Sequence, residues 1–276
     1  MSDEGLFGPD SVTWRVNREG VLLVGGGAAL ILQLYHPLVA AGVAEHSHYR
    51  DEPWARLYRT LDVTTKIMFG PTSLAEDTAR KLRHIHGLIR GETTEAAGRF
   101  PAGTKYDARK PELLMWVHAT LVHVSLDVYN RYVTPLTIGE QQRYYEEQML
   151  AAEKFGIPRD RQPPTLADFN EYFDGMLTGD DTAVTAALLD VVDATLHPPL
   201  PRVAKPLVEA LNLATIGLLP PGVRAELNLP WGPTRKRLFD ASRVVLSRSL
   251  PVLPRLFREF PPARSADKRV RKLQAA

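Results

Sequence analysis

The segment Pro111–Tyr132, PELLMWVHATLVHVSLDVYNRY, constrains the fold most, because it is apolar nearly all round a helix. A helix of that kind must be enclosed by other elements on every side. The other periodic segments also repeat at helical spacing, and no convincing alternation of period two is present. The sequence therefore predicts an all-α fold with this helix at its centre.

Proline, glycine and capping residues predict the other helices and loops. Thr137 with Glu140, and Thr165 with Asp168, have the spacing of capping boxes. The segment 40–53 is predicted to be a polar connection, and 91–110 an irregular loop. Further helices are expected over about Val21–Tyr35, Asp51–Phe69, Ala183–Leu196, Val203–Leu218 and Thr234–Leu250.

Length and composition indicate one soluble domain over residues 1–276, with a helical part over 146–260 and a frayed basic tail over 261–276. The chain has no cysteine, which excludes disulfide scaffolds, thiolate metal sites, iron–sulfur clusters and cysteine nucleophiles. A net charge of +2 is too small to indicate nucleic acid as a partner. The sequence does not indicate the oligomeric state.

The uncharged run Val21–Val43 is the one segment that has the length of a membrane span. Three consecutive glycines and the His36–Pro37 break favour a buried helix instead. The acidic N-terminus lacks the apolar core of a secretory signal. We therefore expect a cytoplasmic protein, with peripheral membrane contact through the basic tail as an alternative.

The segment Thr72–Gly91 is predicted to be a helix that begins with a Ser73–Glu76 capping box and ends at Gly91. His86 falls on the same face as three apolar residues, Leu82, Ile85 and Ile89. An imidazole that points into the core is either a hydrogen-bonded core histidine or a ligand. Both readings stay open on the periodicity alone.

On the preceding helix, Arg56, Arg59 and Thr60 border the apolar stripe. Arginine is rarely buried without a partner, so both arginines either extend to solvent or line a polar pocket. In a pocket they would bind an anion or stabilise bound oxygen species. The helix alone does not decide between these readings.

His118 is a second inward imidazole, on the central helix, whereas His123 can bond Asp127 at i+4 and is read as structural. A di-iron site is not indicated, because the single Glu-x-x-His spacing, Glu45–His48, falls in an expected loop. A zinc site at His46 and His48 lacks a third ligand. No nucleophile elbow, P-loop or dinucleotide fingerprint is present. A haem site fits an all-α core with an inward histidine and nearby polar groups.

Four segments in order, LQLYHPLVAAGVAEHS, RLYRTLDVTTKIMFG, RHIHGLIRG and KPELLMWVHATL, resemble the DUF2236 family of MpaB-type oxygenases and latex clearing proteins (rubber oxygenases). The resemblance covers about residues 20–145. It implies a globin-like helical core that binds haem b, and it matches His86 to the family's iron ligand and His118 to a recurrent histidine that orients the haem.

The same resemblance matches Arg56, Arg59 and Thr60 to the distal Arg-x-x-Lys-Thr group, with Arg59 in place of the lysine. Glu45 is the nearest candidate for the catalytic glutamate of the rubber oxygenases. The implied function is a haem b-dependent, O2-using oxygenase that acts on a hydrophobic, isoprenoid-like or lipid-like substrate. The alternatives are a non-catalytic haem-binding protein and a haem-free lipid-binding protein.

Overall fold

Helices dominate the fold. The computed structural model describes residues 3–47 and 53–275, with the backbone alone for residues 53–57. The first helices are α1 Val12–Asn17, α2 Gly26–Leu34, α3 Pro37–His46, α4 Pro53–Phe69, α5 Thr72–Leu88 and α6 Pro111–Tyr132. The later ones are α7 Ile138–Phe155, α8 Leu166–Thr178, α9 Ala186–Leu196, α10 Lys205–Leu218, α11 Pro221–Glu226, α12 Pro233–Ser249, α13 Arg255–Arg258 and α14 Pro261–Gln274. The all-α prediction is confirmed.

Helix α6 lies at the centre, as its sequence predicts. It contacts the 3-10 helix Gly20–Gly25 together with α2, α7, α8, α10 and α12. Trp116, which is fully buried, donates from Nε1 to the carbonyl of Leu32 at 3.0 Å. One hydrophobic cluster runs through these elements from Val12 to Leu250, so they share a single core.

The glycine-rich segment bends the chain rather than forming one long helix. The expected helix Val21–Tyr35 is instead the 3-10 helix Gly20–Gly25 followed by α2. Because glycine has a low helix propensity, interrupting the α-helix at this point costs little free energy. Among the described residues no single helix is long and apolar enough to cross a membrane, although Gly20–Leu34 and Pro37–His46, bent by 106°, meet the length and composition criteria together.

Two of these glycines allow close packing, as the sequence suggested. A Cβ on Gly25 would lie 2.4 Å from Cγ1 of Val124, and one on Gly27 would lie 2.5 Å from Oγ1 of Thr215. Side chains at these positions would therefore force α6 and α10 away from α2.

Helix α3 corrects the expectation of a polar connection over residues 40–53. Pro37 occupies the first turn, where a missing N–H costs nothing, and His36 accepts a hydrogen bond from the Leu38 N–H as the N-cap. The helix therefore continues to His46. The expected helix start at Asp51 lies outside the described residues.

Helix α5 begins at Thr72, as predicted, but the predicted capping box and C-terminal end are wrong. The N-cap is Pro71, and no capping box forms between Ser73 and Glu76. A distant side chain takes that role, because Asp3 Oδ1 accepts from the Thr72 N–H at 2.9 Å. The helix ends at Leu88, and Gly91 lies in a strand instead of ending the helix.

The segment 91–110 is not wholly irregular. Strands β1 Arg90–Glu92 and β2 Lys105–Asp107 pair antiparallel, with Gly91 opposite Tyr106. Thr93 holds the connecting loop, because its backbone N–H donates to the carbonyl of Thr104 and its hydroxyl donates to that of Pro101. The two capping boxes predicted at Thr137 and Thr165 are both confirmed.

The tail 261–276 is not frayed over its described part, because it forms α14. Ala263, Ala266 and Val270 are buried against Trp14 and Phe69. Their i, i+3, i+7 spacing places them on one helical face. The basic residues of the tail occupy the other faces of α14. Because most of the tail is basic or polar, its composition did not indicate this narrow apolar stripe.

Ion pairs connect an N-terminal segment of the chain with a C-terminal one. We call the residues that form them the terminal ion-pair cluster: Arg18, Glu19, Arg255, Arg258 and Glu259. Arg258 Nε donates to Glu19 Oε2 at 2.8 Å, and Arg18 Nε donates to Glu259 Oε1 at 2.9 Å. Both carboxylates are almost completely buried. The backbone adds an antiparallel bridge between Glu19 and Glu259.

Candidate active site

A cavity of about 270 Å3 lies between the central helix and the elements around it. This volume is close to the lower end of the range of roughly 300–1,000 Å3 typical of small-molecule pockets. The 3-10 helix Gly20–Gly25 and helices α1, α2, α4, α6, α7, α9 and α10 contribute lining residues, and Phe260 closes one side. The cavity therefore draws on both halves of the chain.

Each long helix presents one stripe of residues to the cavity. Thr60, Thr64 and Met68 of α4 are four residues apart, as are Tyr144 and Gln148 of α7. His118, Leu121 and Ser125 of α6 follow the i, i+3, i+7 pattern. Residues at these spacings lie on the same helical face, so the local helical periodicity positions the site.

The described lining is largely apolar and contains no Asp, Glu, Lys or Arg. Polar groups come from hydroxyl, amide and imidazole side chains, which are Asn17, Gln33, Thr60, Thr64, Thr65, His118, Ser125, Tyr144, Gln148, Thr195, Asn212 and Thr215. Such a cavity favours an uncharged, hydrophobic ligand. Acid–base or nucleophilic chemistry among these residues could use His118, Tyr144 and the hydroxyl groups.

His118 is the one imidazole on this lining. The residue is 6% exposed, its ring centroid lies 5.8 Å from that of Phe155, and its Nε2 is buried with no hydrogen-bond partner. Burial lowers the pKa of His118 to about 4, against the opposing effect of a hydrogen bond with the Gln148 backbone. The imidazole is therefore neutral at neutral pH and can act as a ligand.

Tyr144 and its neighbours form a polar group that the sequence analysis missed. Burial raises the pKa of Tyr144, and the neighbouring Ser125 and Asn17 side chains oppose that rise. Asn17 Nδ2 is buried without a partner, and Gln148 Nε2 donates to Thr13 Oγ1 at 3.0 Å. The sequence signal that could have indicated this group is the presence of polar residues on helical faces that are otherwise apolar. Gln148, for example, follows Tyr144 by four residues and so lies on the same face.

The structure brings one of the three predicted distal residues to the cavity. Thr60 lines it, and its carbonyl accepts a hydrogen bond from the Thr64 hydroxyl at 2.8 Å. Arg59 is exposed and is not among the lining residues. The side chain of Arg56 lies outside the described residues, so its placement stays a prediction.

His86 is half-buried on α5 and is not among the residues that line the cavity. Its Nδ1 is buried with no hydrogen-bond partner, and burial lowers its pKa. The expected inward stripe around it is incomplete, because Ile85 is 51% exposed. His86 is thus a second neutral imidazole with an unsatisfied buried nitrogen.

Glu45 lies on α3, away from this lining, and accepts a hydrogen bond from the Tyr106 hydroxyl. His123 stacks on Phe173 with ring centroids 4.1 Å apart, which fits its structural interpretation. Among the described residues, no group of three or more His, Cys, Asp or Glu side chains could hold a metal ion. His48, which the zinc and di-iron readings required, lies outside them.

Comparison with known proteins identifies the family. The family described as "ER-bound oxygenase mpaB/B'/Rubber oxygenase, catalytic domain" matches residues 14–248. Uncharacterized proteins of Mycobacterium bovis and Mycobacterium tuberculosis are each 27% identical over 217 residues, which cover 77% of this chain and 82% of the relative. No solved structure matches the chain. The chain belongs to the MpaB and rubber oxygenase catalytic-domain family, which supports an oxygenase-type activity.

Proposed function

We propose that this member of the oxygenase family is a haem b-dependent enzyme that uses O2 to oxidise a hydrophobic substrate. The observation that carries the proposal is an uncharged, mostly apolar cavity with a neutral, buried imidazole, His118, whose Nε2 has no partner. Bound haem would supply the iron at which O2 reacts, which these side chains cannot replace.

Two imidazoles present fit the ligand that haem needs. A haem needs an apolar slot and an imidazole nitrogen with a free lone pair, and His86 and His118 each have a buried ring nitrogen without a hydrogen bond; His118 lines the cavity, whereas His86 lies outside its lining. We assign His86 as the iron ligand, because it matches the family's ligand. His118 is assigned to orient the haem from the cavity side.

Thr60 and the two arginines would act on the bound oxygen and the substrate. The Thr60 hydroxyl can donate a hydrogen bond to an oxygen atom in the cavity. Arg56 and Arg59 would supply positive charge or position an acidic group of the substrate. From its exposed position, Arg59 would contact the substrate outside the cavity.

The substrate proposal rests on the lining. Because no described lining residue carries a formal charge, the buried part of the substrate should be apolar and uncharged. An unsaturated isoprenoid or lipid has this character. The same lining favours the second candidate, a protein that binds such a lipid without turnover.

Substrate-dependent O2 consumption tests the proposal. The protein, expressed with a haem supply, would be mixed with a series of unsaturated isoprenoids and lipids, and its products analysed by mass spectrometry. Leu121→Trp narrows the cavity, whereas Ile138→Trp changes an exposed position on α7. We expect oxygenated products from wild type and Ile138→Trp, and a large loss in Leu121→Trp. Lipid retained without O2 consumption would favour the binding protein.

A further inference from the structure

Several large apolar side chains are exposed on segments that lie close in the fold to elements lining the cavity. Val252 is 79% exposed, Leu256 63% and Phe257 75%, all within six residues of the chain. Val203 and Leu207, at the start of α10, are exposed as well. We call Leu23, Val203, Leu207, Val252, Leu256 and Phe257 the mouth surface.

Two of the helices that carry these residues meet at the 3-10 helix Gly20–Gly25. Helices α10 and α13 both contact that 3-10 helix, which carries the partly exposed Leu23. Leu23 also lines the cavity. Three segments that are distant in sequence therefore bring exposed apolar side chains close to the lining of the cavity. An exposed apolar patch of this kind indicates an interaction site.

The mouth surface continues into the cavity. Leu207, Leu211 and Thr215 lie at i, i+4 and i+8 on α10, so they form one stripe. Leu207 is exposed at its outer end, whereas Leu211 and Thr215 line the cavity. Phe260, three residues after Phe257, also lines it. An apolar molecule on this surface thus has a continuous apolar path inward.

The C-terminal segment that carries Val252, Leu256 and Phe257 is strongly basic. Residues 233–276 contain 12 Lys and Arg but 3 Asp and Glu, a net charge of +9, whereas the whole chain carries +2. The exposed Arg202, Lys205 and Arg248 flank Val203 and Val252 in sequence and have no ion-pair partner among the described residues. Two copies of this face would repel each other.

We propose that the mouth surface docks on an anionic phospholipid bilayer. Phe257, Leu256 and Val252 enter the interfacial layer, while Arg248, Arg202 and Lys205 contact the lipid phosphates. If the proposed function holds, docking places the opening of the cavity against a reservoir of hydrophobic substrate. The docking itself depends on neither haem nor turnover.

Vesicle co-sedimentation of the full chain tests the docking. Vesicles of phosphatidylcholine alone would be compared with vesicles that also contain phosphatidylserine, at low and high salt. We expect binding to the anionic vesicles that weakens with salt. The double variant Leu256→Ser/Phe257→Ser should bind about ten- to a hundredfold more weakly, because two large side chains no longer leave water. Arg248→Gln should weaken anionic binding about fivefold.

Ile138→Ser is the matched control, because Ile138 is 83% exposed on α7 and outside the mouth surface. It should bind like wild type, and circular dichroism should show that every variant is folded. Absence of binding by the folded chain, or equal losses in the control and the double variant, would overturn the proposal. It would also fail if the double variant instead abolished a dimer detected by size-exclusion chromatography, without any vesicle binding. None of these outcomes depends on oxygenase activity, which is measured separately.

Discussion

The terminal ion-pair cluster gives the sharpest prediction for stability. Glu259 Oε1 accepts hydrogen bonds from Arg18 and from Arg255, the latter from Nε at 2.8 Å, while its side chain is 3% exposed. Glu259→Gln keeps the shape and an acceptor oxygen but removes the charge. We therefore expect the variant to fold with weaker attachment of the C-terminal segment to the N-terminal one.

The magnitude follows from the two arginines. A hydrogen bond from an arginine to a carboxylate is stronger than one to a neutral amide oxygen, by roughly 1–1.5 kcal/mol, so the contacts with the two arginines lose about 2–3 kcal/mol in total. Arg18 is 25% exposed, which keeps the loss below that of a fully buried pair, roughly 3–5 kcal/mol. Urea unfolding should show a lower midpoint with an unchanged slope.

The pH dependence provides a second readout for the same variant. Burial raises the pKa of Glu259, but hydrogen bonds from Arg255 and Arg18 outweigh it, so the net pKa lies below the ordinary value of 4.5. The stabilisation is thus complete above about pH 4.5 and is lost as the pH falls through the lowered pKa. Wild type should therefore approach the stability of Glu259→Gln in acid.

Asp240→Asn is the matched control. Lys236 donates to Asp240 at 2.7 Å, a distance similar to those in the cluster, but both side chains are largely exposed. Exposed pairs contribute little, so this variant should unfold at nearly the same urea concentration as wild type. Equal effects of Glu259→Gln and Asp240→Asn would refute the argument that burial makes the cluster strong.

Three further predictions concern packing, titration and the cavity. Gly25→Ala should cost about 1–3 kcal/mol in urea unfolding, and Val124→Ala should reduce that cost, because the new Cβ would lie 2.4 Å from a Val124 methyl. Burial lowers the pKa of His36 from 6.5 to about 4, so its contribution makes stability fall as the pH falls from 6.5 to 4, by up to roughly 1.4 kcal/mol per unit; His36→Asn should remove this share of the slope and leave the similar share of His118. Thr60→Val should lower kcat about tenfold or more. Arg59→Gln should lower it less, because Thr60 lines the cavity and Arg59 does not. Equal losses of kcat in the two variants would contradict this placement.

Local signals in the sequence predicted much of the fold. Helix α6 runs from Pro111 to Tyr132, the bounds that its apolar pattern and opening proline predict. The boxes at Thr137 and Thr165 form as expected, because both partners lie within one turn of the same helix. Where every determinant is within a few residues, sequence reasoning was sufficient.

Long-range contacts account for the errors. The start of α5 is capped by Asp3, a residue nearly seventy positions away, so the local Ser73–Glu76 spacing was misleading. The tail folds because Ala263, Ala266 and Val270 meet Trp14 and Phe69. The cap by Asp3 leaves no local pattern in the sequence, and the apolar stripe of the tail is short and surrounded by basic residues, so its partners could not be found from the sequence alone.

The candidate site was predictable in part, because helical periodicity is local whereas the packing of distant helices is not. Helical spacing placed His118 facing inward and Thr60 at the border of an apolar stripe, and both line the cavity. The contributions of Asn17, Tyr144 and Phe260 depend on how distant helices meet, which periodicity does not specify. Ile85, beside His86, is exposed. The apolar face predicted from the sequence is therefore wider than the part of the helix that neighbouring elements cover.

The visible absorption spectrum tests the central claim most directly. The protein would be expressed with a haem supply and purified beside His86→Ala, with His84→Ala as the control, since His84 is an exposed histidine on the same helix. The account predicts a Soret band in wild type and His84→Ala that is lost or shifted in His86→Ala. A band that is unchanged in His86→Ala would contradict the ligand assignment, and a folded, helical sample without any Soret band would contradict the haem-dependent oxygenase.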